Sequence, residues 1–443
     1  VPLYTMTAAV WQRGHLQHEY GVDLSTIDWV QGAANHSGSH GEPSVVPMVR
    51  PARVRTDPQG RAVRVLVAHN AYQQRGGEDS VVASETALLR DHGHAVETYL
   101  RHNDDVAGVS RLSLAAQALW SRQSSDEVCA RIADFRPDIV HVHNTLPLVS
   151  PSVFWAARRA GVPVVQTLHN FRLMCPQAMF LRQGKTCEDC LGRVPWRGVA
   201  RGCYRHSVAQ TGVVAATVML HRGLGTYDRA ISRFIALSEF SRGKFIEGGL
   251  APERIAIKPN FVEDAGDGWA EGRTGGLFVG RLSEEKGVGV LLEALRQRPA
   301  AVEVIGEGDG LAQAQAQLGT RAPGFLPVGQ ILARMKQAAY LLIPSLCGEN
   351  FPRTLAEAYS CGLPVIASRI GALAELVEEG VTGLLFETGN AADLAAKLAW
   401  AEAHPAQMQA MGRTARARYE ALYSPEPNYR RLTEIYSEAL RTR

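Results

Sequence analysis

Two carboxylates stand eight residues apart in Glu349-Asn350-Phe351-Pro352-Arg353-Thr354-Leu355-Ala356-Glu357. The apolar run Tyr340–Ile343 and the loop Pro344–Gly348 precede them. That order predicts a strand, a loop and then a helix. Pro352 suits the first helical turn, where its missing N–H is no loss. Glu349 then lies in the loop at the strand's carboxyl end, and Glu357 lies about one turn into the helix. The free amides of Asn350, Phe351, Arg353 and Thr354 point out of the helix N-terminus, a setting that attracts anions and hydroxyl oxygens. An ordinary turn with one solvated and one capping glutamate would have the same sequence, so the neighbouring motifs must decide.

One such neighbour is Gly280-Arg281-Leu282-Ser283-Glu284-Glu285-Lys286-Gly287, directly after the apolar run Gly276–Val279. Arg281 and Lys286 can both face the carboxyl edge of a sheet, where open α/β proteins bind ligands. Arginine offers a planar fork for phosphate oxygens and lysine a point charge. A second loop, Gly306-Glu307-Gly308-Asp309-Gly310, lacks the third glycine of the dinucleotide fingerprint at its offset, which argues against a dehydrogenase. Nearer the start, Gly76-Gly77 suits close approach of a phosphate or an acceptor, or is simply a tight turn. His169 ends an apolar run, and His141 and His143 alternate along another, one expected in the core and one in a cleft. Cys175, Cys187, Cys190 and Cys203 fall in a 29-residue window, with Cys187 and Cys190 as a C-x2-C knuckle. Four thiolates could close a structural zinc site, with His206 in reserve; an iron–sulfur cluster or reduced thiols are the alternatives.

The elements that must position these residues begin near Arg61. Strand and helix patterns alternate from there, and the strands are apolar without polar alternation, as expected of a parallel sheet buried on both faces. Residues 61–262 read as one doubly wound domain carrying the Cys-rich insert 170–206. Residues 263–425 read as a second such domain, and 426–443 as a helix crossing back to the first. Residues 1–60 read as an extension, with a possible helix over Met6–Glu19 and a Gly/Ser/Pro-rich linker at Gly32–Ser44.

With 443 residues, 46% of them hydrophobic, the chain has material for two cores. Its net charge of +3 makes it neither a polyelectrolyte nor a nucleic-acid binder by composition. No apolar run spans a bilayer, and the start does not read as a signal peptide, so the cytoplasm is the expected compartment. Residues 151–250 hold 14 Arg and Lys against 5 Asp and Glu, which suits either a solvated face or attraction to an anionic lipid or acceptor. Val213–Tyr227 reads as an interfacial helix at a membrane or as a core helix.

From about Val63 onward the sequence resembles family 4 of the retaining glycosyltransferases. The resemblance is densest over Val279–Gly287, Glu303–Gly308, Pro344–Ala358, Cys361–Ala367 and Gly380–Leu385. It implies the GT-B architecture, two Rossmann-like domains facing a cleft, and transfer of a sugar from a UDP- or GDP-sugar without a catalytic metal. In that family's terms Glu349 would hold donor-sugar hydroxyls, helped by Asn350 and Phe351, and Glu357 would bind the ribose. Arg281 and Lys286 would neutralise the departing diphosphate, residues 325–327 would meet the base, and His169 would stand near the reacting carbon. Pro352 departs from the glycine frequent at that point and removes one amide. The acceptor would be a glycan, a lipid-linked glycan or a small molecule. A sugar-nucleotide epimerase of the same architecture and a non-catalytic scaffold at a membrane are the rival functions. Residues 1–30 are similar to a fragment of the dihydroxyphthalate decarboxylase family, too short to make that fold.

Overall fold

The computed structural model describes residues 62–73, 76–266 and 272–441. The possible helix Met6–Glu19, the linker and the decarboxylase-like stretch lie outside the described residues.

Strands β1 (Arg64–Ala71), β2 (Ala95–His102), β3 (Ile139–Val142) and β4 (Val164–Thr167) come first. A two-residue hairpin follows, β5 (Leu181–Arg182) and β6 (Lys185–Thr186), and then β7 (Arg233–Ala236) and β8 (Ile255–Ile257). The six long strands form one parallel sheet in the order β2-β1-β3-β4-β7-β8. The second half supplies β9 (Gly276–Val279), β10 (Val302–Ile305), β11 (Tyr340–Ile343), β12 (Val365–Ser368) and β13 (Gly383–Phe386). They form a parallel five-stranded sheet in the order β10-β9-β11-β12-β13. Every residue of β3, β4, β11, β12 and β13 is buried, the pattern of strands covered by helices on both faces.

Four helices carry or support the site: α1 (Gly77–Asp91), α2 (Glu239–Glu247), α3 (Arg353–Ser360) and α4 (Pro425–Arg441). α4 lies against the first sheet. Its Tyr429, Leu432, Ile435, Tyr436 and Ala439 share a core with Val65, Val67, Ile139 and Val165. Those spacings of three and four form one helical stripe.

Among the elements not read from the sequence are the helix Arg111–Leu119, α2, the β5–β6 hairpin and strands β8 and β13. β13 opens on Gly383 because a Cβ there would stand 2.0 Å from the Val365 carbonyl oxygen. Pro352 is also corrected. It is the N-cap residue in extended backbone, and the helix proper starts at Arg353. The helix Val208–Gly223 buries one face, Thr211, Val214, Ala215, Thr217, Val218 and His221, and leaves Val208 and Leu220 exposed.

Candidate active site

The second sheet presents Glu349 and Lys286 together at its carboxyl edge. Lys286 Nζ lies 2.6 Å from Glu349 Oε1, and the Ser345 hydroxyl donates to the same oxygen at 2.8 Å. Burial alone would lower the Lys286 ammonium, but the charge and hydrogen bond of Glu349 hold it above the usual lysine value. It therefore stays cationic. The Glu349 carbonyl accepts from Ala372 N at 3.1 Å, which fixes the loop from behind. Burial pushes the neighbouring Cys347 thiol up to about 12, so it stays protonated and inert.

The loop that carries Lys286 depends on a backbone crossing. Gly287 has φ +72, and a Cβ there would sit 1.7 Å from the Pro344 carbonyl oxygen. Only glycine lets the strand ends of β9 and β11 approach so closely. Gly306 does the same one strand away: at φ +142 its Cβ would meet Gly280 O at 1.8 Å. The second glycine loop is thus explained by packing against the first.

Asn350 is buried, and neither polar atom of its side chain has a hydrogen-bond partner. A buried amide in that state is set up for a ligand or a water. Phe351 packs edge-on to Tyr423 and serves the core. Arg353 and Thr354 open α3, where amide N–H groups lack intrahelical acceptors. Arg353 Nε reaches Glu357 Oε1 at 3.4 Å. Arg281 is the outlier of the set, 69% exposed and 3.7 Å from Glu285. Phe325 is open to solvent, and Leu326 packs on the second core.

Across from this group lies the carboxyl edge of the first sheet. Gly76 caps α1 and donates to Asp79 Oδ2 at 2.7 Å. No atom lies within 4 Å of where a Cβ on Gly77 would be. His169, Asn170, Glu78 and Arg172 line one concavity there. Asn170 Nδ2 donates to Glu78 Oε1 at 2.8 Å, and the Tyr72 hydroxyl donates to Glu78 Oε2 at 2.9 Å. His169 Nε2 lies 2.9 Å from His143 Nδ1. Burial lowers both imidazoles below the usual histidine value, so both are neutral near pH 7. His141 and His143 are both buried, so the expected split between core and cleft holds only in that His143 touches His169.

The two edges meet through backbone contacts. Glu375 accepts from Glu239 N at 3.0 Å and from Phe240 N at 2.8 Å, capping α2 from the other half. The tip of the β5–β6 hairpin reaches the lysine loop: a Cβ on Gly184 would lie 3.4 Å from Glu284 Oε1. Another concavity, lined by Gly275, Ala301, Ala339 and Pro364, is at the opposite, amino edge of the second sheet and is remote from this chemistry.

The structure gives the expected cysteine zinc site no support. Tetrahedral zinc thiolates stand about 3.8 Å apart for a Zn–S bond near 2.3 Å. Among the described residues, no three of Cys175, Cys187, Cys190 and Cys203 offer sulfur atoms within 4.8 Å of one another. All four thiols are free, and burial raises Cys190 and Cys203. The insert is held by other means. Arg201 pairs with Asp189 at 2.5 Å, Lys244 pairs with Glu188 at 3.0 Å, and Phe171, Met174 and Phe180 enter the first core.

The group that does converge is Glu85, His141 and His143, whose ligand atoms lie within 4.8 Å and are all buried. Lys258 Nζ stands 2.8 Å from Glu85 Oε2 and already occupies the cation's role. Sequence reading missed Glu85 and Lys258. A signal existed for Glu85: it shares a helical stripe with Val81, Val82, Leu88 and Leu89, where a carboxylate has no reason to be unless it is paired.

Residues 55–260 match the "Glycosyl transferase 4-like domain" and residues 264–418 match "Glycosyl transferases group 1". The amylovoran biosynthesis glycosyltransferase AmsK of Erwinia amylovora is 35% identical over 176 residues, 36% of this chain and 43% of that protein. The D-inositol 3-phosphate glycosyltransferase of Segniliparus rotundus is 27% identical over 445 residues, covering 88% of this chain and 93% of that one. Among solved structures, Anabaena HepE in complex with UDP and glucose is similar with a TM-score of 0.59 at 19% identity, over 85% of this chain and 99% of that one. Sucrose-phosphate synthase from Thermosynechococcus elongatus is similar with a TM-score of 0.63 at 17% identity, over 86% of this chain and 100% of that one.

Proposed function

The chain is a glycosyltransferase of the GT-B fold, and from that premise we propose that it transfers a sugar from a nucleoside diphosphate donor with retention and without a catalytic metal. The observation that carries this reading is the Lys286–Glu349 pair beside the unpartnered Asn350 amide. Breaking the anomeric C–O bond builds negative charge on the diphosphate and positive charge on the sugar. Lys286, Arg281 and the amides opening α3 are fixed positive ends for the leaving group, and fixed charge avoids reorganisation during reaction. Glu349 and Asn350 take the sugar hydroxyls, Glu357 the ribose, and Gly76-Gly77 lets the phosphates approach the first sheet. The neutral His169 faces the sugar from the acceptor side. No carboxylate stands out as a nucleophile, so attack from the leaving-group face is favoured.

For acceptors, the names of the amylovoran and inositol phosphate relatives point to a polysaccharide or a small polyol. No helix among the described residues is long and apolar enough to cross a membrane. The insert instead supports peripheral contact with an anionic bilayer: Trp196 is 62% exposed and Val194 55% exposed, beside Arg193, Arg197 and Arg201.

A thermal-shift panel of UDP- and GDP-sugars tests the donor site, because a ligand bound only by the folded state raises Tm by mass action. One donor should raise Tm in the wild type and lose that effect in Lys286→Ala and in Glu349→Ala. Equal donor affinity in both variants would rule the site out. Product anomeric configuration by NMR tests retention, and turnover in EDTA tests metal independence.

A further inference from the structure

A line of buried polar groups runs from the far face of the first sheet to its carboxyl edge. Lys258 Nζ lies 2.8 Å from Glu85 Oε2 and donates to Asn428 Oδ1 at 3.0 Å. Glu85 Oε1 lies 3.2 Å from His141 Nδ1 and 3.7 Å from His143 Nε2. His141 is held on both sides, by the Tyr436 hydroxyl at Nδ1 and the Thr167 hydroxyl at Nε2, each at 2.8 Å. His143 then meets His169 at 2.9 Å, with the two rings stacked 5.2 Å apart. These groups come from α1, the ends of β3 and β4, the segment after β8, and α4.

We propose that Glu85 is a positioning residue: anchored by Lys258, it fixes the tautomer of His143 and, through His143, that of His169 at the cleft. This rests on the reading of His169 as the imidazole beside the reacting sugar.

The hydrogen-bond logic has one direction. An ionised carboxylate only accepts. The nitrogen of His143 nearest Glu85 is Nε2, which stands 3.7 Å from the carboxylate, beyond hydrogen-bond reach, and has no hydrogen-bond partner. The negative charge facing it favours the proton on Nε2, which leaves Nδ1 as an acceptor. His169 Nε2 must then donate to it, so the proton of neutral His169 sits on Nε2 and its Nδ1 keeps a lone pair. A histidine fixed in this way accepts from a hydroxyl group and cannot donate to one from Nδ1. A sugar hydroxyl can then donate a hydrogen bond to Nδ1.

Stability is a poor reason to keep such a network. A buried ion pair is often no better than well-packed apolar residues of similar volume. Orientation of a group that touches substrate is a better one, since ligand-bearing histidines are commonly held through their second nitrogen. A divalent metal at Glu85, His141 and His143 would demand the place Lys258 holds.

The test uses the full chain with 15N-labelled histidine and long-range 1H–15N spectra, which report tautomers directly, with UDP-glucose turnover alongside. Glu85→Gln/Lys258→Met removes both buried charges together, so no lone charge is left inside. Wild type should show Nε2–H tautomers at His143 and His169. The double variant should show mixed tautomers, with kcat down about tenfold or more and KM for UDP-glucose nearly unchanged. Glu85→Asp, which keeps the charge, should retain the tautomers and recover much of the rate, and it serves as the readout if the double variant does not fold. Unchanged tautomers in the double variant, or mixed tautomers in Glu85→Asp, would overturn the proposal. One equivalent of metal by mass spectrometry would overturn it in favour of a metal centre. His169→Asn separates the two readings. If it leaves turnover intact, the cleft role of His169 fails, while the tautomer spectra still decide the role of Glu85.

Discussion

Among single residues, the buried imidazoles give the molecule an acid limit. His141 is pushed down to about 4 by burial, against an unfolded value near 6.5. Between those values the unfolded chain binds more protons than the folded one. Stability is therefore complete above about pH 6.5 and is lost as pH falls toward 4. His143 and His169, also held low by burial, act in the same direction. Burial would raise the Glu85 carboxyl, but Lys258 and His141 hold it below its usual value, so its contribution is lost only at lower pH. Each such proton steepens the fall by about 1.4 kcal/mol per pH unit. Urea unfolding between pH 7.5 and 5 should show falling stability, with a shallower slope in His141→Gln even if that variant starts lower. A flat wild-type profile would show that these imidazoles are not held neutral by the fold. The titratable and charged groups around His141 are Glu85, Lys258, His143, His169 and Tyr436; Glu85 favours the protonated form, but burial outweighs it.

The elements were unequally legible. β9 and β11 coincide with the apolar runs that announced them, because a strand buried on both faces needs nothing but apolar residues. β8 is only three residues long and β13 opens on a glycine, so neither leaves such a run. The candidate donor-site residues were legible for a related reason: Lys286 and Glu349 sit on short segments tied to those strands, and Glu357 on the helix that follows. The Glu85 network was not, because its members range from residue 85 to residue 436 and only the fold brings them together. α4 closes that network, and its apolar stripe covers the outer face of β1 and β3. Leu432 is fully buried in that core, so Leu432→Ala should cost about 2–5 kcal/mol by urea denaturation. A loss below 1 kcal/mol would mean that α4 is not integral to the first sheet's core. Tyr436→Phe removes one hydroxyl from His141 and should cost about 1 kcal/mol while leaving the packing intact.

For the whole molecule, the question is what holds the two sheets' carboxyl edges against each other. The contacts are both apolar and polar. Leu237 sits in the second core and Phe240 packs on both cores. Glu375 accepts two amides at the start of α2, and a Cβ on Gly348 would come within 3.0 Å of the Phe240 ring. Intrachain interfaces that rest partly on polar contacts favour relative motion of the parts they join. A carboxylate at a helix N-terminus satisfies orphan amides and complements the helix dipole, which contributes about 1 kcal/mol. That is enough to bias an open–closed balance several-fold without threatening either core. Glu375→Ala should therefore leave Tm within a few degrees of wild type, increase the radius of gyration in solution scattering and weaken donor binding several-fold. Donor added to saturation should restore the compact form, because a ligand held by both edges selects the closed state. If the scattering curve and donor affinity of the variant both match wild type, Glu375 is a local cap only. Closure must then rest on the hairpin tip at Gly184, which reaches Glu284 from the opposite side of the cleft.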